Sequence, residues 1–213
     1  MSEWADTETN ERGESAVDAE LLERREAALA RVVKFGDPVL KSVASPVSEF
    51  GPDLRADVER MIGIMRDGMG VGLAATQLGV LRRLLVFQAG PDSEPTALIN
   101  PEVEWTSPEV VVAEEGCLSL PGVSMDVERP LHARFSGRDV DGEPVRIEAS
   151  GLEARVLQHE IDHLDGVLIL DRAPRPQRKG ALRALREGGS YSPPPAEGPA
   201  GEDGEHREPR TDA

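Results

Sequence analysis

The sequence predicts an α+β fold in which short antiparallel strands pack around one central helix. Between residues 81 and 148, short apolar runs alternate with turn residues, and strands joined by short turns usually pair antiparallel. Residues 150–164 instead carry apolar side chains at helical spacing. Within this helix His159-Glu160-Ile161-Asp162-His163 places two histidines four residues apart, so that both can reach one cation. The central helix is therefore predicted to bind a metal ion.

The two ends of the 213-residue chain differ in composition from its middle. Residues 1–28 form an acidic N-terminal extension. Residues 190–213 form an acidic tail rich in Pro and Gly, which we expect to be disordered because it cannot bury enough apolar surface to offset chain entropy. Between them we expect one folded, catalytic domain at 29–172 and a basic segment with helical character at 173–189. The formal net charge of −16 argues against nonspecific binding of nucleic acid by the whole surface.

The first half of the domain is predicted to contain two helices and a glycine-rich loop. Apolar residues among charges suggest a short helix around residues 20–33. Residues 53–67 carry apolar side chains at a period of 3.6, with charges opposite, which predicts a helix that covers the core. The loop Gly70-Val71-Gly72-Leu73-Ala74-Ala75-Thr76-Gln77 lacks the lysine and spacing of a nucleotide-binding loop. We expect its glycines to let another backbone or a ligand approach closely.

The second half is predicted to consist of strands that lead into the central helix. Ser150 and Glu153 have the spacing of a capping box that starts this helix, and Gly166 marks its end. Asp141-Gly142 is a hairpin signal before the last strand. The predicted extended segments are 81–88, 96–99 (ending at Asn100-Pro101), 110–113, 127–129, 131–135 and 145–148.

The segment that follows the central helix is basic. Two interpretations of it are open: a solvated helix that packs on the domain, or a surface for an anionic partner such as RNA phosphate. The basic residues are Arg172, Arg175, Arg178, Lys179, Arg183 and Arg186.

Cys117 is the only cysteine in the sequence, so no intramolecular disulfide can form. A free thiol without a secretory signal sequence indicates a reducing compartment, and we expect a cytoplasmic protein. No stretch of the sequence approaches the length of a membrane span, so we expect no membrane association.

A catalytic metal site of this kind needs three protein ligands and an open position for water. Downstream of His163 no histidine occurs before the tail, and the carboxylates of Asp165 and Asp171 lie close to the helix end. Upstream, Cys117 stands in Glu115-Gly116-Cys117-Leu118-Ser119. A lone cysteine could equally be a small core residue. The adjacent glycine and the missing third ligand favour coordination by Cys117.

Three segments together resemble the signature motifs of the peptide deformylases. They are Gly70 to Gln77, Glu115 to Ser119, and Gln158-His159-Glu160-Ile161-Asp162-His163-Leu164. Their order and spacing are similar to those of the family, and the resemblance extends from about Val33 to Asp171. It implies a metal-dependent hydrolase that removes the N-formyl group from the terminal formylmethionine of nascent polypeptides and releases formate.

The resemblance implies that Cys117, His159 and His163 bind one divalent metal ion. The ion in this family is usually ferrous iron, although zinc, nickel or cobalt can occupy the site. A mixed thiolate and imidazole donor set is compatible with several of these ions, so the ligands alone do not choose between them.

The resemblance also implies roles in catalysis and substrate binding. Glu160 would take a proton from water and deliver it to the departing amine. The Gln77 amide and the Leu118 backbone N–H would stabilise the oxyanion. The substrate peptide would pair with the backbone around Val71 and Gly72. Candidates for the methionine pocket are Val71, Leu118, Leu152 and Val156, with Arg155 nearby at a position where relatives often have an apolar residue.

Some relatives use a basic carboxy-terminal helix to contact the ribosome, and residues 172–186 are similar in charge and location. We therefore expect weak, salt-sensitive ribosome binding beside the N-formylmethionyl peptide substrates. Two alternatives compete with the deformylase interpretation. A metalloprotease would need its third ligand downstream of His163. A catalytically silent metal-binding protein on the ribosome would need neither Glu160 nor Gln77.

Overall fold

The computed structural model describes residues 7–90 and 93–194, with side chains from residue 18 onward. Within these residues the helices are α1 (Thr7–Leu29), α2 (Pro52–Asp67), α3 (Gly151–Leu164), α4 (Ile169–Arg172) and α5 (Arg175–Glu187), with short 3-10 helices at Pro38–Lys41 and Ala75–Leu78. The strands are β1 (Gly72–Ala74), β2 (Leu84–Phe87), β3 (Thr96–Thr106), β4 (Val110–Cys117), β5 (Leu120–Pro130), β6 (His132–Arg138) and β7 (Pro144–Ser150).

The strands form two antiparallel sheets. The larger sheet has the order β1-β2-β3-β6-β7, and the smaller one pairs β4 with β5. Helix α3 packs against strands of both sheets. The predicted α+β class with antiparallel strands around a central helix is therefore confirmed.

Helix α3 is central because two of its faces are buried. The first face consists of Ala154, Leu157, Ile161 and Leu164, which pack with Leu85, Leu98 and Phe135 of the large sheet. Burial of each large apolar side chain contributes on the order of 1.5–3 kcal/mol, so this face fixes the helix on the sheet. The second face carries the histidines and turns toward the small sheet.

The two ends of α3 are built differently from each other. The predicted capping box at its start is wrong: the Ser150 side chain makes no cap hydrogen bond. Ser150 lies opposite His132 in the β6–β7 ladder, and its Oγ is 2.8 Å from Nδ1 of His132. The hydroxyl therefore hydrogen-bonds to the cross-strand histidine instead of capping the helix. At the other end Gly166 has a φ of 71° and donates to the carbonyl of His163, while Val167 donates to that of Asp162. This Schellman pattern needs a residue that tolerates positive φ.

Several other elements differ from the prediction: β4 and β5 are longer than the predicted segments 110–113 and 127–129, and three further cases follow. Strand β3 continues past Asn100 to Thr106 instead of ending there. Asn100 adopts a φ of 52°, and its side chain bonds the N–H and C=O of Val47 at 2.8 and 2.9 Å, which stabilises this conformation. The glycine-rich loop contains strand β1, which lies at the edge of the large sheet. Helix α1 begins at Thr7, well before the predicted start near residue 20.

The carboxy-terminal segment packs on the small sheet. Ala181 and Ala184 of α5 are buried in a cluster with Val123 and Met125 of β5, which supports the interpretation as a packed, solvated helix. Tyr191 pairs with Val123, so the first residues of the predicted tail contact the domain. Residues 195–213, for which disorder is predicted, lie outside the described residues. Among the described helices, none is both long and apolar enough to span a membrane.

Candidate active site

The three predicted metal ligands lie together where β4 meets α3. Their ligand atoms are all within 4.8 Å of one another. Sγ of Cys117, the last residue of β4, is 3.2 Å from Nε2 of His163. The rings of His159 and His163 are neighbours because the two residues are four apart on α3. One thiolate and two imidazoles form a donor set that suits a divalent transition metal.

A cavity of about 580 Å³ opens beside these ligands. All predicted site residues line it except His163, which is only 1% exposed and lies behind the other ligands. The predicted lining residues are Val71, Gly72, Gln77, Cys117, Leu118, Leu152, Val156, His159 and Glu160. The structure thus brings together residues from three separate sequence motifs around one cavity.

Glu160 is a buried carboxyl group on the cavity wall. Burial raises the pKa of Glu160, and its Oε2 has no hydrogen-bond partner among the described residues. A Cβ atom at Gly72 would overlap the Glu160 carboxyl group, which explains why a glycine stands at this position of β1. A buried carboxylate oxygen without a protein partner suits a site that holds water near a metal ion.

The Gln77 amide has a defined orientation. Its Oε1 accepts a hydrogen bond from the Ala74 N–H at 2.9 Å, so Nε2 must point the other way. Nε2 lies 3.3 Å from Oγ of Ser119 and 3.6 Å from Sγ of Cys117. The amide donor therefore faces the ligand cluster. The Leu118 carbonyl accepts from Nζ of Lys34 at 3.1 Å, which holds the neighbouring backbone.

Glu115 supports the ligand His159 from behind. Its Oε2 accepts from Nδ1 of His159 at 2.9 Å, and Arg129 donates to both carboxylate oxygens at 2.6 and 2.9 Å. Arg155 adds a bond to Oε1 at 2.6 Å. Burial by itself would raise the pKa of Glu115, but the hydrogen bonds from His159 and Arg129 lower it to about 2. The carboxylate therefore stays ionised and fixes the ring orientation of His159.

The charge network extends from Glu115 along α3. Nη1 of Arg129 donates to Oδ2 of Asp162 at 2.9 Å, and Nε of Arg172 donates to the same oxygen at 3.0 Å. Arg172 thus binds within the domain. No role for Arg129 was predicted from sequence. A signal was present, because Arg129 continues the alternation of buried Val123, Met125 and Val127 along β5.

The pKa values of Cys117 and His159 both shift toward the charged forms. Burial by itself would raise the pKa of the Cys117 thiol, but the imidazoles of His163 and His159 bring it well below its ordinary value. Burial would lower the pKa of His159, but hydrogen bonds to Cys117 and Glu115 raise it to about 10. The site therefore favours the thiolate of Cys117, which is the form that binds a metal ion.

Comparison with known proteins decides the family. The family model described as polypeptide deformylase matches residues 29–179. The chain belongs to the polypeptide deformylase family.

Curated deformylases and solved deformylase structures are similar over most of their length. The peptide deformylase of Parafrankia sp. is 46% identical over 163 residues, which cover 76% of this chain and 88% of the relative. That of Thermotoga neapolitana is 47% identical over 153 residues, or 72% and 92% of the two chains. The structure of a Synechococcus elongatus deformylase in complex with actinonin has a TM-score of 0.69 at 40% identity, covering 75% of this chain and 88% of that one.

The Thermotoga maritima deformylase structure has a TM-score of 0.66 at 46% identity and covers 68% of this chain and 97% of that one. Deformylation of nascent peptides is the activity of this metal-dependent family, and the chain is a hydrolase of this kind. The predicted family, enzyme class and activity are therefore confirmed.

We expect the Cys117 thiol of the deformylase to ionise well below its ordinary pH range before metal is added, because the imidazoles of His163 and His159 lower its pKa. Cys117 is the only cysteine of the sequence, so the ultraviolet absorbance of the thiolate across a pH series reports this residue alone. A midpoint at or above about 8.5, the ordinary value for cysteine, would contradict the lowered pKa.

Proposed function

We propose that this deformylase holds one divalent metal ion through Cys117, His159 and His163. The observation that carries the proposal is the convergence of their ligand atoms within 4.8 Å beside an open cavity. When bound, the ion acts as a Lewis acid and lowers the pKa of water toward about 7. We assign ferrous iron on the family resemblance; the thiolate and imidazole donors are compatible with it but would also accept zinc, nickel or cobalt.

Glu160 is proposed as the residue that moves protons. It takes the proton of the attacking water and delivers it to the departing amine. Two observations support this role. Burial raises the pKa of Glu160, which makes the carboxyl group a better proton acceptor, and Oε2 is left able to accept from water.

Gln77 and Leu118 are proposed to stabilise the oxyanion that forms at the formyl carbon. The donors must be in place before charge develops. The bond from Ala74 fixes the Gln77 amide, and the bond from Lys34 to the Leu118 carbonyl holds the peptide unit that follows the Leu118 N–H. Both residues line the cavity next to Cys117.

The substrate peptide is proposed to add to the edge of the large sheet. Strand β1 lies at that edge, so the side of the backbone around Val71 and Gly72 that faces away from β2 is available to pair with an extended peptide. The Val71 carbonyl itself accepts from the Gln88 N–H. Leu152 and Val156 on α3 would form walls of the methionine pocket, with Leu152 at its mouth because it is 55% exposed. An unbranched thioether suits such an apolar pocket.

A metalloprotease would need a third ligand downstream of His163, and neither candidate carboxylate supplies it. Asp165 bonds to Nη1 of Arg83 at 2.6 Å, and Asp171 bonds to Nζ of Lys41 at 2.6 Å. Neither carboxylate belongs to the ligand cluster identified among the described residues. Glu160 and Gln77 at the cavity also argue against a silent metal-binding protein, because binding alone requires neither.

We further propose that α5 contacts the ribosome in the cytoplasm, where nascent chains emerge. Spacings of four, four and three residues put four exposed basic residues on one face of this helix: Arg175, Lys179, Arg183 and Arg186. Arg172, at the start of the predicted segment 172–186, serves the internal network instead. An exposed basic face that needs no rearrangement of the domain supports phosphate binding.

The activity test measures formate release from formyl-Met-Ala-Ser by protein purified without oxygen. We expect about one iron per chain. We also expect Glu160→Gln to lower kcat by about 10²–10⁴-fold while metal content is unchanged, because the proton acceptor is lost and the ligands remain. Glu153→Gln on the same helix, away from the cavity, is the control and should stay near wild type.

Full activity of Glu160→Gln would remove the proposed mechanism. Zinc or nickel in place of iron would refute the metal assignment, and absence of formate release by wild type would refute the function as a whole.

The ribosome test compares two double variants with equal change in charge. Arg175→Ala/Lys179→Ala should weaken ribosome binding several-fold and reduce the salt slope of log K by about two, because each residue neutralises one phosphate. Arg25→Ala/Arg31→Ala, at exposed positions of the α1 side, should bind like wild type. Co-sedimentation across a salt series measures both. Equal binding by all three proteins would exclude α5 as the contact.

A further inference from the structure

A second cavity of about 300 Å³ lies next to the active-site cavity. It is lined by Val111 and Ala113 of β4 and by Pro130 at the end of β5, among others. Three side chains line both cavities, namely Glu114, Leu152 and Arg155. Side chains that face two cavities lie between them, so these three form a partition.

Arg155 is the inner part of this partition. Its side chain is 13% exposed, whereas Leu152 is 55% exposed and Glu114 is also exposed at the surface. Leu152 and Glu114 can therefore separate the two cavities only near their openings to solvent. At depth, next to the apolar wall formed by Val156, the boundary is the Arg155 side chain.

The guanidinium of Arg155 is anchored on three sides. Nη1 donates to Oε1 of Glu115 at 2.6 Å and to the Val127 carbonyl at 2.9 Å, and Nη2 donates to the Val111 carbonyl at 2.6 Å. Turning the side chain away would break the charge-assisted bond to Glu115 together with the bonds to two backbone carbonyls, which is costly. The partition is therefore held in place rather than being a mobile surface arginine.

We propose that Arg155 sets the depth of the methionine pocket and so determines the selectivity of this deformylase against longer side chains. The inference rests on the proposed function, because it takes Leu152 and Val156 as pocket walls. An unbranched side chain longer than methionine's meets an anchored cation at the end of the pocket, and apolar groups gain nothing by displacing it. Without Arg155 the pocket continues into the second cavity, where each additional buried methylene favours binding about fourfold.

The experiment measures kcat/KM for formyl-Met-Ala-Ser and for formyl-2-aminodecanoyl-Ala-Ser, whose unbranched side chain is longer. The ratio of the two values is the readout, because it does not depend on how much of a preparation is folded or metal-loaded. Arg155→Ala opens the partition. Arg155→Lys is an intermediate variant, since it keeps the charge and most of the stem but loses the planar fork that makes the three bonds. Arg155→Ala/Ala113→Phe refills the second cavity from β4.

We expect Arg155→Ala to raise the ratio of long substrate to methionine substrate by about tenfold or more, which corresponds to two or more newly buried methylenes. Arg155→Lys should gain less than Arg155→Ala, because part of the stem still separates the cavities, and the double variant should lose the gain. An unchanged ratio in Arg155→Ala, or a gain that survives Ala113→Phe, would overturn the proposal. Failure of wild type to deformylate formyl-Met-Ala-Ser would instead refute the proposed function.

Discussion

The structure depends on one buried carboxylate, that of Glu115. A buried charge is tolerated only when it is paired and hydrogen-bonded, and Glu115 accepts bonds from His159, Arg129 and Arg155. These partners come from α3 and β5, while Glu115 itself belongs to β4. Loss of one partner from a buried pair typically costs about 3–5 kcal/mol. The small sheet and the central helix are thus connected by charge, in addition to apolar packing.

This connection has a geometric consequence for the metal ligands. Cys117 lies two residues after Glu115 in β4, and His159 lies on α3, so the Glu115 carboxylate orients the His159 ring and links its helix to the strand that carries Cys117. Partners of ligand histidines that lie outside the metal's own ligand set commonly tune metal affinity by about 10–100-fold. Arg129 also donates to Asp162, one residue before His163, and so restrains the part of α3 that carries this ligand. The segments that carry all three ligands are therefore restrained by charged neighbours that are not metal ligands themselves.

Much of the fold and most of the site follow from sequence patterns, for identifiable reasons. Helix α3 has a strong 3.6-residue period and a glycine stop, and the ligand spacing of four depends only on helical geometry. Strand β1 was missed because a short strand in a glycine-rich loop has no alternation to detect. The end of β3 was misplaced because the left-handed turn at Asn100 is stabilised by Val47, which is far away in sequence.

The charged side chains that support the metal ligands were the part of the site that could not be predicted from the sequence. Arginine in a strand or on a helix usually lies at the surface, so residue type alone does not mark Arg129 and Arg155 as buried. For Arg129 the only signal is the alternation of apolar residues that precedes it in β5. Ser150 illustrates the same limit. Its spacing to Glu153 matches a capping box, but its hydroxyl bonds to His132 on the neighbouring strand instead. In each case a contact between distant segments outweighed a local preference.

The most direct test of this account is the metal affinity of Glu115→Gln, measured by competition with a chelator. Glu128→Gln, an exposed position on the neighbouring strand β5, is the control. If Glu115 orients His159, the first variant should bind the metal about 10–100-fold more weakly while circular dichroism shows the native fold, and the control should match wild type. Wild-type metal affinity in a folded Glu115→Gln protein would contradict the account.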